Sequence, residues 1–308
     1  FYKFPYSKLH SILNLKPDRH IPIQVFKRML EKMPQPLQSD LQSVRIVCKR
    51  GYCLPCLMPI PPEFLRLLGY YIAEGNCQSR FFIIANSSEE VRADIKGILR
   101  KLGLHYTIRP NGDFQVSRKV FKALLSELCG ENARAKHLPM FWMKLSQNQL
   151  GELLKAYFEG DGWIEPSRVI CVTASKKLAY DLADALLRFG IWPRIREVWR
   201  QATNSQHNGG WYWEISISGN RNLELFAEHI GFISEPKRQA LNLEMRKNYN
   251  TNVDVLPNCP NLIKSARRKA GLYTTQFESV SRPAISLIAG SDTHLRAHET
   301  RHDLVCRL

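Results

Sequence analysis

The feature that most restricts the fold of this chain is an internal repeat. An offset of 87 residues places LLGYYIAEG (67–75) on LKAYFEGDG (154–162), so that Glu74 falls on Asp161. The correspondence continues without a gap, and equivalent residues along it include Ser88 and Ser175, Gly103 and Gly190, and Arg109 and Arg196. A single ungapped offset over such a length indicates that the chain contains two copies of one structural unit.

Each copy has the same predicted order of elements. The spacing of apolar residues predicts a helix over 62–74, ended by Gly75 in the left-handed conformation of a helix cap, and then a strand-like stretch. An amphipathic helix, a hairpin around Asn111 and Gly112, and a closing helix complete the unit. The predicted fold is therefore α+β, with two pseudo-twofold-related αββαββα units and helical N- and C-terminal extensions.

The repeat also sets the predicted domain boundaries. Residues 1–60 form a basic N-terminal extension, residues 61–150 the first unit and residues 151–250 the second. Residues 251–308 form a C-terminal helical extension, in which the pattern of 262–289 loosely resembles a helix-turn-helix. The alternative for this extension is a set of helices that pack on the repeats.

The charge of the chain indicates the class of its partner. It contains 44 Lys and Arg against 28 Asp and Glu, a net charge of +16. Such an excess favours a polyanion, either nucleic acid or an acidic membrane surface. No apolar run approaches the roughly 20 residues that span a bilayer, and no secretory signal is recognisable. We therefore expect an intracellular protein of the cytoplasm or nucleoid, without a membrane partner.

The eight cysteines do not predict a metal site. Cys53 and Cys56 form a CxxC pair with Cys48 upstream, but no second pair or paired histidines complete a zinc site. Reduced thiols are the expectation for an intracellular protein.

Small residues in the first helix of each copy place the two acids together. Gly69 and Ala73 share one helix face, and Ala156 and Gly160 take the equivalent places. Small residues at this spacing allow two helices to approach until their backbones nearly touch. Glu74 and its equivalent would then emerge side by side at two helix C-termini, where like charges and helix dipoles oppose ionisation. A divalent cation such as Mg²⁺ would offset this repulsion.

The two nine-residue segments resemble the motif of the LAGLIDADG homing endonucleases, in the single-chain form with two motifs that also occurs within archaeal inteins. The resemblance covers 61–250, and the segment GFISEPKRQALNL is similar to the closing helix of the family. Glu74 stands where Asp is more usual, which implies that the two DNA strands are cut unequally. Ala156 replaces the glycine at the third position of the second motif.

The resemblance implies a function and a set of site residues. The chain would be a site-specific endonuclease that cuts a long, asymmetric double-stranded DNA target by metal-dependent phosphodiester hydrolysis, in intein or intron homing. It would act as a monomer with Mg²⁺, for which Mn²⁺ would substitute. The implied metal ligands are Glu74, Asp161, Ala73 and Gly160. Lys119 and Arg221 are the implied catalytic cations, with Lys136 and Lys237 as alternatives.

The resemblance further implies that the two sheets form a saddle on DNA, whose side chains read base edges in adjacent major grooves. The polar residues predicted to contact DNA are Asn76, Gln78, Arg80, Arg109, Asn111, Gln115, Arg168, Arg194, Arg196 and Arg200. Two alternative functions remain on the same scaffold. One is an RNA maturase that assists intron splicing, and the other is a DNA-binding transcription regulator that does not cleave.

Overall fold

The computed structural model describes residues 57–201 and 209–245, short pieces at 45–47 and 53–55, and a few isolated positions between 265 and 271. The chain divides into two compact units, residues 1–61 and 62–308. In the first, β1 (Arg45–Val47) pairs antiparallel with β2 (Cys53–Pro55). Cys48 and Cys56 and most of the predicted helix-turn-helix lie outside the described residues.

The first repeat contains three helices and a four-stranded antiparallel sheet. Its elements are α1 (Pro62–Glu74), β3 (Gly75–Cys77), β4 (Phe82–Ile84), α2 (Glu89–Lys101), β5 (Thr107–Ile108), β6 (Phe114–Val116) and α3 (Lys119–Cys129). The strand order is β3-β4-β6-β5. The hairpin between β5 and β6 turns at Gly112, whose amide donates to the carbonyl of Arg109.

The second repeat has the same order with longer strands. After a short 3-10 helix (Met140–Lys144), its elements are α4 (Gln147–Asp161), β7 (Gly162–Glu165), β8 (Arg168–Thr173), α5 (Lys176–Leu187), β9 (Arg194–Arg200), β10 (Gly210–Ser218), α6 (Asn220–His229) and α7 (Glu235–Met245). The strand order β7-β8-β10-β9 matches that of the first repeat. The predicted α+β fold with two αββαββα units is therefore confirmed. No helix within the described residues is long and apolar enough to cross a membrane.

Local contacts explain where α4 and α5 begin and why α1 is buried. Ser146 and Gln149 form a capping box at the start of α4, and the Ser175 hydroxyl accepts the Leu178 amide at the start of α5. Eight residues of α1 are buried, on more than one side of the helix. The reason is that α1 packs against α4, α2, α3 and the first sheet.

The closest packing in the molecule is the seam between α1 and α4. A Cβ atom on Gly69 would lie 2.3 Å from the Leu153 carbonyl oxygen and 2.8 Å from the Ala156 Cβ. A Cβ atom on Gly160 would lie 2.6 Å from the Ala73 Cβ. Each residue therefore faces its own equivalent in the other repeat, as happens when two parallel helices flank a twofold axis. Both helices end at the same end of the seam.

The glycine after each motif acts through space rather than through a special backbone conformation. Gly75 begins β3, and Gly162 has φ −89° and ψ 146°, which is extended backbone. The predicted left-handed cap at Gly75 is therefore wrong. A Cβ atom there would lie 2.2 Å from the Tyr71 carbonyl oxygen, so the sharp change from helix to strand leaves room only for hydrogen. Left-handed glycines do follow α2 and α5, at Gly103 and Gly190.

Substitution of Gly69 tests the seam. We expect Gly69→Ala to lower the free energy of unfolding by about 2–3 kcal/mol, because its methyl group must push two helix backbones apart. Gly97→Ala is the matched control, since Gly97 lies in α2 with no atom within 4 Å of an added Cβ. Gly97→Ala should instead stabilise the protein by roughly 0.5–1 kcal/mol. Urea denaturation of both variants measures the difference, and equal effects would contradict the close approach.

Candidate active site at the helix seam

The two acids of the repeated motif lie together at the end of the seam. Glu74 is the last residue of α1 and Asp161 is the last residue of α4. The Glu74 Oε1 atom is 3.9 Å from the position that a Cβ on Gly160 would occupy, directly before Asp161. Burial and the adjacent Glu74 carboxylate raise the pKa of Asp161 to about 8. Burial also raises the pKa of Glu74, and Asp113 adds to this effect while Lys237 opposes it.

Two lysines at equivalent positions face these acids. Lys136 follows Gly130 at the same distance as Lys237 follows Gly231. The Lys136 Nζ donates to the Tyr71 carbonyl oxygen at 2.6 Å. The Lys237 Nζ donates to the carbonyl oxygens of Glu159 at 2.5 Å and Gly162 at 2.7 Å. Each lysine thus occupies carbonyl groups that the end of a motif helix leaves without an intrahelical partner.

The electrostatic coupling of the lysines to the acids runs in both directions. Burial lowers the pKa of Lys136 to about 8, although the negative charge of Asp161 acts against this change. Burial also lowers the pKa of Lys237, opposed by Glu159, whose Oε1 atom lies 3.8 Å from the Nζ atom, and then by Asp161 and Glu74. Both lysines in turn lower the pKa of Asp161. Glu74, Asp161, Lys136 and Lys237 therefore form one charge cluster, which Glu159 adjoins at Lys237.

Each lysine-bearing segment is held by the other repeat. The Ser175 hydroxyl, at the start of α5, donates to the Lys136 carbonyl oxygen at 2.6 Å. In the opposite direction, Glu90 at the start of α2 accepts the amide of Glu235 at 2.6 Å, two residues before Lys237. Neither lysine position is consequently determined by its own repeat alone.

Glu159 is a buried acid of the second motif that sequence analysis did not single out. Its carboxylate accepts the amides of Ile233 at 2.6 Å and Ser234 at 3.0 Å, and the Ser234 hydroxyl at 2.7 Å. Glu159 therefore anchors the segment that leads into α7, the helix that carries Lys237. Ile72 occupies the equivalent place in the first motif, and this difference between the copies was the available signal.

The cations first assigned to catalysis lie elsewhere. Lys119 begins α3 as an exposed residue, and Arg221 is exposed near the start of α6, 3.8 Å from Glu224. Lys136 and Lys237, the alternatives, are the lysines whose charges act on the acids. We therefore replace Lys119 and Arg221 by Lys136 and Lys237 in the proposed catalytic roles. The physical reason is that the chain comes back to the end of the seam in the segments after α3 and α6, which carry Lys136 and Lys237. Lys119 and Arg221 lie at the starts of these two helices.

The chemistry of the donors fits a hard divalent cation. Carboxylates and main-chain carbonyl groups at two helix ends supply oxygen only, and the pKa of Asp161 stays raised although both lysines act to lower it, so further positive charge would be favourable here. Among the described residues, no group of three or more His, Cys, Asp or Glu residues could hold a metal. An ion here would need water and substrate oxygens to complete its shell, as Mg²⁺ ordinarily does. Ala73 and Gly160 contact each other across the seam and would contribute only main-chain oxygen.

All four arginines predicted in the second repeat lie on one face of its sheet. Arg194 and Arg196 are opposite Ser216 and Glu214, and Arg200 is opposite Gly210, all on alternate positions of β10. Arg168 is opposite Ser218, which continues the same alternation. The other face carries Ile215 and Ile217, which are buried. The arginines therefore line the polar face.

The candidates of the first repeat occupy the corresponding sheet and its turns. Asn76 and Gln115 are both directly opposite Ile83, on its two sides, which places their side chains on one face of the sheet. Arg109 follows β5 and donates from Nε to the Gln115 Oε1 at 3.0 Å. Gln78 and Arg80 are exposed between β3 and β4, and Asn111 is exposed in the hairpin turn. DNA contact by these ten residues stays a prediction.

Comparison with known proteins gives a family match over both repeats. The model of the LAGLIDADG-like domain matches residues 61–128 and 148–231. Replication factor C small subunit of Methanocaldococcus jannaschii is 33% identical over 204 residues, which are 63% of this chain and 11% of that protein. DNA polymerase II large subunit of Thermococcus kodakarensis is 29% identical over 252 residues, or 74% of this chain and 14% of that protein. The chain thus spans a small part of the length of these relatives.

Two of the solved structures that match part of this chain have low sequence identity to it. I-DmoI in complex with DNA and Ca has a TM-score of 0.43 and 13% identity, over 61% of this chain and 99% of that chain. Full-length DUF199/WhiA from Thermatoga maritima has a TM-score of 0.41 and 13% identity, over 75% of this chain and 80% of that chain.

The raised pKa of Asp161 predicts the pH dependence of metal-free stability. The unfolded chain loses this proton near pH 4, whereas the folded protein keeps it until about pH 8, so stability falls as pH rises between these values. We expect Asp161→Asn to raise the melting temperature at pH 7.5 by on the order of 5 °C, and by much less at pH 4.5. Asp184→Asn, at an exposed position of α5, is the control and should change neither value. Calorimetry in EDTA tests this, and a gain independent of pH would contradict it.

Proposed function

The chain belongs to the LAGLIDADG-like family through residues 61–128 and 148–231, and on this basis we propose that it is a site-specific, metal-dependent double-strand DNA endonuclease. The observation that carries the proposal is the pair of acids at the seam. Burial and the Glu74 carboxylate raise the pKa of Asp161, which destabilises the metal-free protein, and a protein that only binds DNA has no use for such a pair. Their proximity supports metal-assisted hydrolysis of a phosphodiester.

Glu74 and Asp161 would hold the metal in this proposal. A divalent ion bound there would activate water and stabilise the charge of the leaving oxygen. Lys136 and Lys237 lie at the same end of the seam, where their charges attract the DNA backbone and oppose the charge that develops on the scissile phosphate. The lowered pKa of about 8 for Lys136 also lets this residue exchange a proton near neutral pH.

The charge and the sheets supply the DNA-binding part of the proposal. The net charge of +16 favours a polyanion, and a phosphate-rich partner would account for it. Polar residues follow each other along one face of each sheet, which is the arrangement needed to reach base edges in a groove. Both halves lie in one chain, so we propose that a monomer binds an asymmetric target.

The comparisons support a mobile genetic origin. One segment of this chain matches 11% of a replication factor C small subunit and 14% of a DNA polymerase II large subunit. A segment that recurs as a small part of differently named proteins has the distribution of an inserted module. We therefore propose a role in homing, in which the endonuclease cuts DNA that lacks the insertion.

Cleavage of DNA that spans the empty insertion locus tests the function. We expect Mg²⁺-dependent double-strand cuts at one site, and loss of cutting by at least about 100-fold in Asp161→Asn and in Glu74→Gln, because each removes a proposed metal ligand. Binding of the locus without cutting in any divalent ion would favour a regulator. Binding of an intron RNA in place of the DNA would favour a maturase.

The reassigned lysines predict a second difference. Lys237→Met should lower the rate of cutting by about 100-fold with little change in DNA affinity, whereas Lys119→Met should lower it by less than about threefold. Single-turnover kinetics with saturating protein separates the two. The opposite order would restore Lys119 to the catalytic role.

Metal binding can be tested without activity. Mg²⁺ should raise the melting temperature of the native chain and not that of the Glu74→Gln/Asp161→Asn double variant, because only the folded site binds the ion. Since the ligands must lose their protons to bind the ion, the Mg²⁺ concentration that gives half of the stabilisation should decrease as the pH is raised from about 6 to about 8. An identical rise in both proteins would exclude these acids as the metal site.

A further inference from the structure

The polar face of the second sheet carries a buried acid at its centre. Glu214 lies in β10 opposite Arg196 of β9 on one side and Val172 of β8 on the other. Its side chain is only 2% exposed, whereas Arg196 and Arg200 keep 36% and 45% of their side-chain surface in solvent. The acid is thus hidden beneath two arginines that remain open to a partner.

Glu214 divides its two oxygens between the two arginines. Arg196 approaches Oε1 with Nε at 2.8 Å and Nη2 at 2.7 Å. The Arg200 Nη2 donates to Oε2 at 2.7 Å. Charge-assisted bonds of this length fix the plane of a guanidinium group. Both arginines are therefore oriented before any ligand arrives.

The arrangement extends across the sheet to β7 and β8. The Arg200 guanidinium lies 5.5 Å from the ring centroid of Trp163, and the Trp163 Nε1 donates to the Glu165 Oε1 at 3.0 Å. Glu165 in turn pairs with Arg168 at 2.7 Å. We refer to Glu214, Arg196, Arg200, Trp163, Glu165 and Arg168 as the arginine network.

The first sheet has the equivalent residues without the network. Its pairing of Ile108 with Phe114 corresponds to that of Ile195 with Ile215, so Asp113 is equivalent to Glu214 and Arg109 to Arg196. Arg109 donates to Gln115 instead, and the Asp113 carboxylate accepts from Asn111. The matching strands are also shorter, at 2 and 3 residues against 7 and 9.

We propose that Glu214 is a positioning residue for DNA recognition: it holds Arg196 and Arg200 in the orientation in which they read guanine, so that the second sheet discriminates base sequence more strongly than the first. The inference rests on the proposed DNA-binding function. Arginine contacts guanine through two parallel donors, which requires a defined guanidinium plane. Pre-orientation reduces the entropy lost on binding. The charge of Glu214 also offsets that of the arginines, which weakens attraction to phosphate irrespective of sequence.

Selection from a randomised duplex library in EDTA measures this effect without cleavage. Each G·C pair of a site selected by the native chain is exchanged in turn, and Kd is measured for the selected duplex and for each exchanged duplex. The ratio of the two Kd values is the discrimination at that pair. We expect Glu214→Gln to reduce discrimination at guanines of the half-site that contacts the second sheet by about fivefold or more, within the range for one bidentate contact. Its affinity for unrelated DNA should hold or increase, with a steeper dependence on salt.

Glu197→Gln is the matched control. It removes the same charge from β9, at an exposed residue opposite Trp213 and therefore on the other face of the sheet. We expect it to leave discrimination unchanged. A uniform loss of affinity for all duplexes in Glu214→Gln, or an equal loss of discrimination in Glu197→Gln, would overturn the proposal. Failure of the native chain to select any duplex would instead overturn the DNA-binding function itself.

Arg196→Lys provides a test that does not depend on the folding of a variant at a buried site. Lysine keeps the charge but lacks the planar fork of donors. We expect the salt dependence of binding to persist while discrimination at guanine falls by about fivefold or more. Unchanged discrimination would show that the orientation of Arg196 is not used, which contradicts the role of Glu214.

Discussion

The rest of this structure depends on the close approach of α1 and α4. Gly69, Ala73, Ala156 and Gly160 leave no side-chain atoms beyond Cβ between the two helices, so each helix faces its equivalent across a pseudo-twofold axis. Parallel helices around such an axis must end at the same level. The steric seam therefore brings Glu74 and Asp161 together, although mutual repulsion and two helix dipoles oppose it.

An unfavourable pair of acids requires compensation, and the protein supplies it from both repeats. Lys136 and Lys237 bind carbonyl groups at the ends of the motif helices, where their charges act on the acids. The segment of each lysine is in turn held by the start of a helix in the opposite repeat. The charge cluster is thus a product of the two halves joined, and a single half could not assemble it.

The sequence predicted the seam and the acids because both follow from local, repeated patterns. Helical spacing of small residues and a constant offset of 87 are independent of how loops run. The lysines cannot be chosen from the sequence in this way, since the path of the chain after α3 and α6 decides which cations lie near the acids, and Lys119 is exposed at the start of α3. Gly75 was misread for a related reason: its need for space depends on the Tyr71 backbone, which spacing alone does not reveal.

Differences between the repeats carry as much information as their agreement. Glu159 replaces Ile72 where α7 must be anchored, and Glu214, which binds two arginines, takes the place of Asp113, whose carboxylate accepts from Asn111. Fusion of both copies in one chain allows each half to change alone, which identical subunits of a symmetric dimer cannot do. The helices at the shared axis tolerate little change, because a substitution in one displaces the other. The positions in contact across the seam accordingly keep small residues in both copies, whereas the second sheet has longer strands and the arginine network.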